Sequence, residues 1–234
     1  YRFYINNNYV TKIDFEPFYG NQLGYGIYFK QKISVDYLKI KQTKEKKNSN
    51  FISNKTLSVP LFDNFDRNTN NWGIENSTNY SVALNNGDLI LSRKTKGGIF
   101  VSKDVEINTA KDFIIETSLK EKNTSDGFYG ITFGRKNSSN EYSFLLSGNG
   151  KYKYRKFDDN NYKEIIPLTS SNAIKVGANE VNKIKIVKSG NLLRFYINDQ
   201  YLNETPFESF FGNKLGYTIY YNRKIAAEYL DVKY

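Results

Sequence analysis

From Val59 to Tyr234 the chain runs as short stretches in which apolar and polar residues alternate, most of them closed by a turn signal. Alternation with a period of two sends successive side chains to opposite faces of an extended strand. Strands are expected at Tyr80–Leu84, Asp88–Ser92, Gly98–Ser102, Asp112–Leu119, Phe128–Arg135, Glu141–Ser147, Lys151–Phe157 and Tyr162–Ile166. They continue at Lys183–Lys188, Leu192–Asn198, Lys214–Tyr221 and Lys224–Tyr234. Between them stand Asn86-Gly87, Gly97-Gly98, Asp126-Gly127, Asn149-Gly150 and Ser189-Gly190, dipeptides that tolerate the positive φ of tight hairpins. No stretch has the period of a long amphipathic helix. About a dozen strands at this spacing predict an all-β sandwich of two antiparallel sheets.

The alternation also assigns faces. Phe113, Ile115 and Leu119 point one way and Glu116 and Ser118 the other; Leu193, Phe195 and Ile197 point inward, leaving Arg194 and Tyr196 outward.

The end of the chain repeats its beginning. Laid over Asn191–Tyr234 at a constant offset and without a gap, Tyr1–Gln42 matches at about half its positions, which marks a duplicated structural unit. RFYIN recurs from Arg2 at Arg194, FE-x-F-x-GN from Phe15 at Phe207, LGY-x-IY from Leu23 at Leu215, and KI-x-x-x-YL from Lys32 at Lys224. The later copy follows a long strand-rich stretch and the earlier one follows nothing. Residues 1–42 are therefore expected to be the C-terminal strands of a preceding, similar domain, including strands at Leu23–Phe29 and Lys32–Ile40, in a chain cut from a longer protein. Such strands alone have open edges and an unburied face, which raises the alternative that they complete another chain's sandwich. Residues 43–58 have charge, Asn and Ser without an apolar period, the composition of a linker. Residues 59–234 are expected to form the complete domain.

Composition removes whole classes of chemistry. The sequence has no His and no Cys, which excludes a His-dependent hydrolase, a thiolate metal site and disulfides. No apolar run reaches the ~20 residues of a membrane helix. Lys and Arg total 34 against 24 Asp and Glu, a formal charge of +10 that would attract a polyanion. The bias toward Lys, Asn, Ile, Tyr and Phe gives the simpler account of solvated lysines, so nucleic acid is not the expected partner.

The segments LFDNFDRNTNNW (Leu61–Trp72), GGIF (Gly97–Phe100), YSFLLSGNGKY (Tyr142–Tyr152) and the closing RFYIN…FFGNKLGY…YL-x-V resemble the concanavalin A-like jelly-roll modules of multidomain proteins from Bacteroidetes-type bacteria. Those modules are similar to laminin-G-like lectin domains and to the 3-keto-disaccharide hydrolase (DUF1080) domain. The resemblance covers Val59–Tyr234 and, as a half-copy, Tyr1–Gln42. It implies a secreted or cell-surface bacterial module that binds a glycan or a protein, or acts as a spacer in a tandem array, without membrane insertion.

Glucanases of this superfamily carry paired acids on one strand as Glu-x-Asp-x-x-Glu, an arrangement missing here. The nearest acids are Asp112 with Glu116 and the turn pair Asp158-Asp159, and Asp112 at a strand entrance reads as a turn acid. A glycoside-cleaving enzyme is thus the lesser alternative, beside a binder of nucleic acid or acidic polysaccharide. For a structural Ca²⁺ the available oxygens are Asp63, Asn64, Asp66 and Asp231, all of which also suit turns.

The basic-aromatic run Lys151–Phe157 places Tyr152 and Tyr154 on one face and Lys153, Arg155 and Phe157 on the other. Facing solvent, the two tyrosines would stack on sugars or bases; the preferred alternative packs them inside and leaves the cations wet. Arg135, Tyr162, Arg194, Tyr196 and Tyr220 are further outward ligand candidates. Trp72, the single tryptophan, is expected to plug one end of the sandwich, and Phe207–Phe211 to serve the fold.

Overall fold

The computed structural model describes residues 2–5, 8–12, 61–125 and 127–234. The expected strands at Leu23–Phe29 and Lys32–Ile40, the linker and Asp126 lie outside these. The chain divides into two compact units, Tyr1–Ser53 and Asn54–Tyr234.

Within the first unit, β1 (Arg2–Ile5) and β2 (Asn8–Lys12) form an antiparallel hairpin. The second unit begins with two short strands, β3 (Phe62–Asp63) and β4 (Glu75–Asn76). There follow β5 (Tyr80–Asn85), β6 (Asp88–Arg93), β7 (Gly98–Asp104), β8 (Phe113–Glu121), β9 (Phe128–Asn137) and β10 (Asn140–Ser147). The rest are β11 (Lys151–Asp158), β12 (Asn161–Ser170), β13 (Val181–Ser189), β14 (Leu192–Ile197), β15 (Gln200–Pro206), β16 (Lys214–Tyr220) and β17 (Lys224–Lys233).

Two antiparallel sheets face each other. One runs β12-β11-β10-β9-β16-β7; the other runs β15-β14-β13-β8-β17-β6-β5-β4, with β3 added on β17. Asn86-Gly87, Asp159-Asn160 and Asn198-Asp199 have positive φ at both residues, as two-residue hairpin turns require. Period two then fills the core. Ile115 and Leu119 from β8 and Leu193, Phe195 and Ile197 from β14 meet Tyr129, Ile131 and Phe133 from β9, Phe144 from β10 and Tyr217 from β16, all buried.

The strand β15 was not legible in the alternation. Its sequence, QYLNETP, is mostly polar and buries only one residue, because an edge strand needs neither face fully apolar. The hairpins β1-β2 and β14-β15 share one register. Arg2↔Lys12, Phe3↔Thr11, Tyr4↔Tyr9 and Ile5↔Asn8 correspond one for one to Arg194↔Glu204, Phe195↔Asn203, Tyr196↔Tyr201 and Ile197↔Gln200, with the irregularity after Phe3 matching the one after Phe195.

Trp72 is buried, its ring set edge-on to Phe65 at 5.6 Å and tilted against Tyr217 at 5.9 Å. Phe210 fills the space beside Phe113 and Phe133, so the Phe207–Phe211 segment is part of the core margin.

Candidate functional site: the outer face of the six-stranded sheet

Where Tyr129, Ile131, Phe133 and Phe144 point inward, their neighbours point outward. The central strands β9, β10 and β16 present small residues there: Gly130, Thr132, Ser143, Gly216 and Thr218. A Cβ on Gly130 would stand 2.2 Å from the Phe144 carbonyl oxygen and one on Gly216 2.0 Å from that of Val101, so neither position accepts a side chain. Thr132 Oγ1 lies 2.9 Å from Ser143 Oγ and 3.0 Å from Thr218 Oγ1, a hydrogen-bonded row across three strands.

Larger side chains from the flanks lean over this row. Arg135 belongs to them because of a register irregularity in β9: Gly134 has φ +57°, and strict alternation would have sent Arg135 inward after Ile131 and Phe133. Its Nε donates to Glu141 Oε2 at 2.6 Å and its guanidinium lies 4.0 Å from the centre of the Phe100 ring. Glu141 also faces Arg155, whose guanidinium is 3.7 Å from Oε1. Arg155 is 8% exposed and sits among three rings, Phe157 at 4.9 Å, Tyr220 at 5.3 Å and Tyr162 at 5.8 Å. It also donates to the Tyr220 hydroxyl, while its Nε has no partner. Burial pushes the Tyr220 phenol up, against the pull of Arg155.

At the β11-β12 flank, Lys153 Nζ lies 4.4 Å from the Phe128 ring centre and donates to Tyr162 Oη at 3.1 Å and Glu164 Oε1 at 3.0 Å. The Tyr162 hydroxyl donates to the same carboxylate. That hydroxyl, and then Lys153, hold Glu164 below the usual carboxylate range. Tyr162 remains 47% exposed.

The structure thus brings Arg135, Tyr162 and Tyr220 to one surface and adds Phe100, Phe128, Glu141, Lys153, Arg155, Phe157 and Glu164. The expectation that the cations of β11 are simply wet is corrected: Arg155 is buried and Lys153 is clamped, because the rings and carboxylates of adjacent strands close over them. Tyr152 and Tyr154 are each 3% exposed and pack in the core, Tyr154 against Phe133 and Phe195, so neither presents a ring to solvent. Arg194 and Tyr196 lie on the outer face of the other sheet, where Arg194 pairs with Glu204 at 2.9 Å and Tyr196 meets Tyr201.

The acids considered for catalysis are elsewhere. Asp112 accepts the Gly190 N–H at 2.8 Å, and Glu116 accepts the Tyr229 hydroxyl at 3.0 Å beside Lys183 and Lys185. Asp158 pairs with Lys156 at 3.2 Å, and Asp159 accepts from Asn140 at 3.0 Å.

The calcium donor set does not converge. Asp63 accepts the Phe65 N–H at 2.9 Å, Asn70 Nδ2 at 2.7 Å and the Trp72 indole N–H at 2.7 Å. Asn64 donates to Asp66, and Asp231 accepts from Lys233 at 2.9 Å. Asp63 and Asp231 sit at neighbouring positions of the β3-β17 pairing, where side chains alternate between faces. Among the described residues no three acidic side chains form a cation-holding group. These side chains fit the turn and do not fit a cage for the ion.

The fold defines the class, an all-β jelly-roll sandwich of two antiparallel sheets. No family model matches the chain, and no curated protein matches it. Among solved structures, carbohydrate binding module CBM66 from Bacillus subtilis is similar over 70% of this chain and 95% of its own, at 15% identity and a TM-score of 0.52. A β-glucanase from Bacillus licheniformis is similar over 75% of this chain and 98% of its own, at 11% identity and a TM-score of 0.53. A xylan β-1,4-xylosidase from Bacillus halodurans is similar over 80% of this chain but only 41% of its own, at 12% identity and a TM-score of 0.55. At such identities the likeness is one of fold. Among the described residues no helix is long and apolar enough to cross a membrane.

Proposed function

We propose that this chain is a non-catalytic glycan-recognition module and that the outer face of the six-stranded sheet is its binding surface. The observation that carries the reading is the gathering of Phe100, Phe128, Phe157, Tyr162 and Tyr220 with Arg135, Lys153 and Arg155 on that one face. Sugars offer apolar C–H faces beside hydroxyls; rings stack on the first, and guanidinium, ammonium and carboxylate groups bond the second. The fixed Arg135–Glu141–Arg155 line supplies donors and acceptors whose positions are set before a ligand arrives. Relatives in fold named for carbohydrate binding or cleavage support this reading.

The reading is non-catalytic because a glycosidase needs one carboxyl that keeps its proton and another free to attack. Glu141 lies between two arginines, and Glu164 is held ionised by Tyr162 and Lys153. One observation favours a second reading, a polyanion binder: the cluster has three cations, Arg135, Lys153 and Arg155, against two carboxylates, Glu141 and Glu164. A secreted or surface location and further sandwich domains in the same protein belong to the proposal, and the shared hairpin register supports residues 1–42 as strands of a second, similar sandwich.

The test is binding of the chain to a glycan array printed with heparin and single-stranded DNA. Neutral-glycan signal lost in Tyr162→Ala supports the module. Signal on heparin or DNA alone supports the second reading, and silence everywhere sinks both in favour of a spacer.

A further inference from the structure

A sandwich of open sheets has edges, and an edge strand keeps a row of backbone donors and acceptors unpaired unless something blunts it. Three of the four edges here are blunted. β12 carries Pro167 and two register irregularities, β15 ends on Pro206 and has one, and β4 is two residues long. β7 differs. Its seven residues pair with β16 without interruption, contain no proline, and no described strand pairs with its other side.

That free side opens on a cleft of about 470 Å³. Gly98–Ser102 form one wall, and Tyr80, Val82 and Arg93 of β5 and β6 form the other. The cleft therefore follows five consecutive residues of β7 and lies beside the backbone of a regular strand. Its charge is one-sided at the end where β6 turns into β7, since the segment from Arg93 to Lys96 carries Arg93, Lys94 and Lys96 and no acid of its own. Arg93 donates one bond to the Lys96 carbonyl at 2.7 Å, but its Nε is buried and has no acceptor. Glu75, the carboxylate within the cleft, stands beside the Tyr80 hydroxyl and holds that phenol above its usual value.

We infer that β7 is a docking edge for an extended peptide, which adds as a seventh strand to the six-stranded sheet and places an acidic side chain against Arg93. Main-chain bonds to β7 hold the peptide, and alternate apolar side chains enter between Ile99, Val101 and Val82. This surface is the sheet's edge and does not depend on the glycan reading of its face.

A random heptapeptide library displayed on phage and selected on the full chain tests the idea, followed by titration of the enriched peptide in synthetic form. Enriched peptides should alternate apolar residues and carry Asp or Glu toward one end. N-methylation at alternate peptide positions should abolish binding in one parity and spare it in the other, which contact through side chains alone would not produce. Arg93→Gln should weaken the acidic peptide about tenfold, the scale of a charge-assisted hydrogen bond, and leave its amide analogue unchanged. An empty selection overturns the proposal, as does binding indifferent to N-methylation. A self-association of the chain that Ile99→Lys abolishes also overturns it, because the edge would then belong to a second copy.

Discussion

Asp63 shows how far a residue's chemistry can be read before its neighbours are known. In the sequence it is one of several oxygens near a turn; in the fold its carboxylate takes the indole N–H of Trp72, nine residues on, and is buried beneath it. Nothing periodic announces that return of the chain. Trp72→Phe removes a donor from a buried carboxylate, which costs about 1.5–3 kcal/mol, and leaves a smaller ring against Phe65 and Tyr217, which adds to the loss. The urea midpoint followed by circular dichroism should fall accordingly, and an unchanged midpoint would show that the bond contributes nothing. Arg223 and Glu121 make a second buried case, 0% and 1% exposed with charged atoms 2.7 Å apart. Burial raises the Glu121 carboxyl above its usual value, with Arg223 pulling it back. Arg223→Met strands that carboxylate at a cost of about 3–5 kcal/mol, whereas adding Glu121→Met to it restores most of the loss. A carboxyl raised on folding binds its proton more tightly in the folded state, so its contribution is most favourable below the unfolded value and is lost as pH rises. The deficit of the single variant should therefore shrink between pH 8 and pH 5, and a deficit flat across that range would count against a stranded carboxylate.

At the scale of elements, period two was enough to place the twelve expected strands, because most of them bury one face in a shared core. It failed at β15, whose edge position relieves it of that demand, and it is silent about irregularities. Gly134 is the instructive one. Its positive φ lets the chain slip by one position so that Arg135 emerges on the outer face, and the Phe210 ring stands 2.6 Å from where a Cβ would be. Gly134→Ala should cost at least about 1–2 kcal/mol from the left-handed backbone alone, with the displacement of Phe210 added. Lower thermal stability together with weakened contact of Phe210 to Phe113 and Phe133, seen in aromatic NMR shifts, would confirm that the irregularity and the Phe207–Phe211 segment act as one unit. If the variant melts like the parent, the slip does not depend on glycine.

For the molecule as a whole, the sequence carried the sandwich and three members of the outer-face cluster, Arg135, Tyr162 and Tyr220. It did not carry their meeting, since Glu141, Arg155 and Tyr220 come from three strands that only sheet order brings together. Net charge was the louder signal and the less informative one. The +10 surplus is spread over the chain, whereas the cations of the cluster are tied to rings and carboxylates. These two facts predict opposite salt responses. Binding through ring stacking and fixed hydrogen bonds releases few counterions, so affinity for a neutral glycan should change by less than about twofold between 50 and 200 mM salt. Attraction by the surplus alone should fall steeply, by about a thousandfold for a ligand engaging six cations. Tyr162→Ala separates them further: it removes a ring and no charge, so it should weaken the neutral glycan about tenfold and leave heparin untouched. Should heparin binding fall with Tyr162 and the glycan persist without it, the outer face would be the polyanion site, and the neutral sugar would have to sit elsewhere on the sandwich.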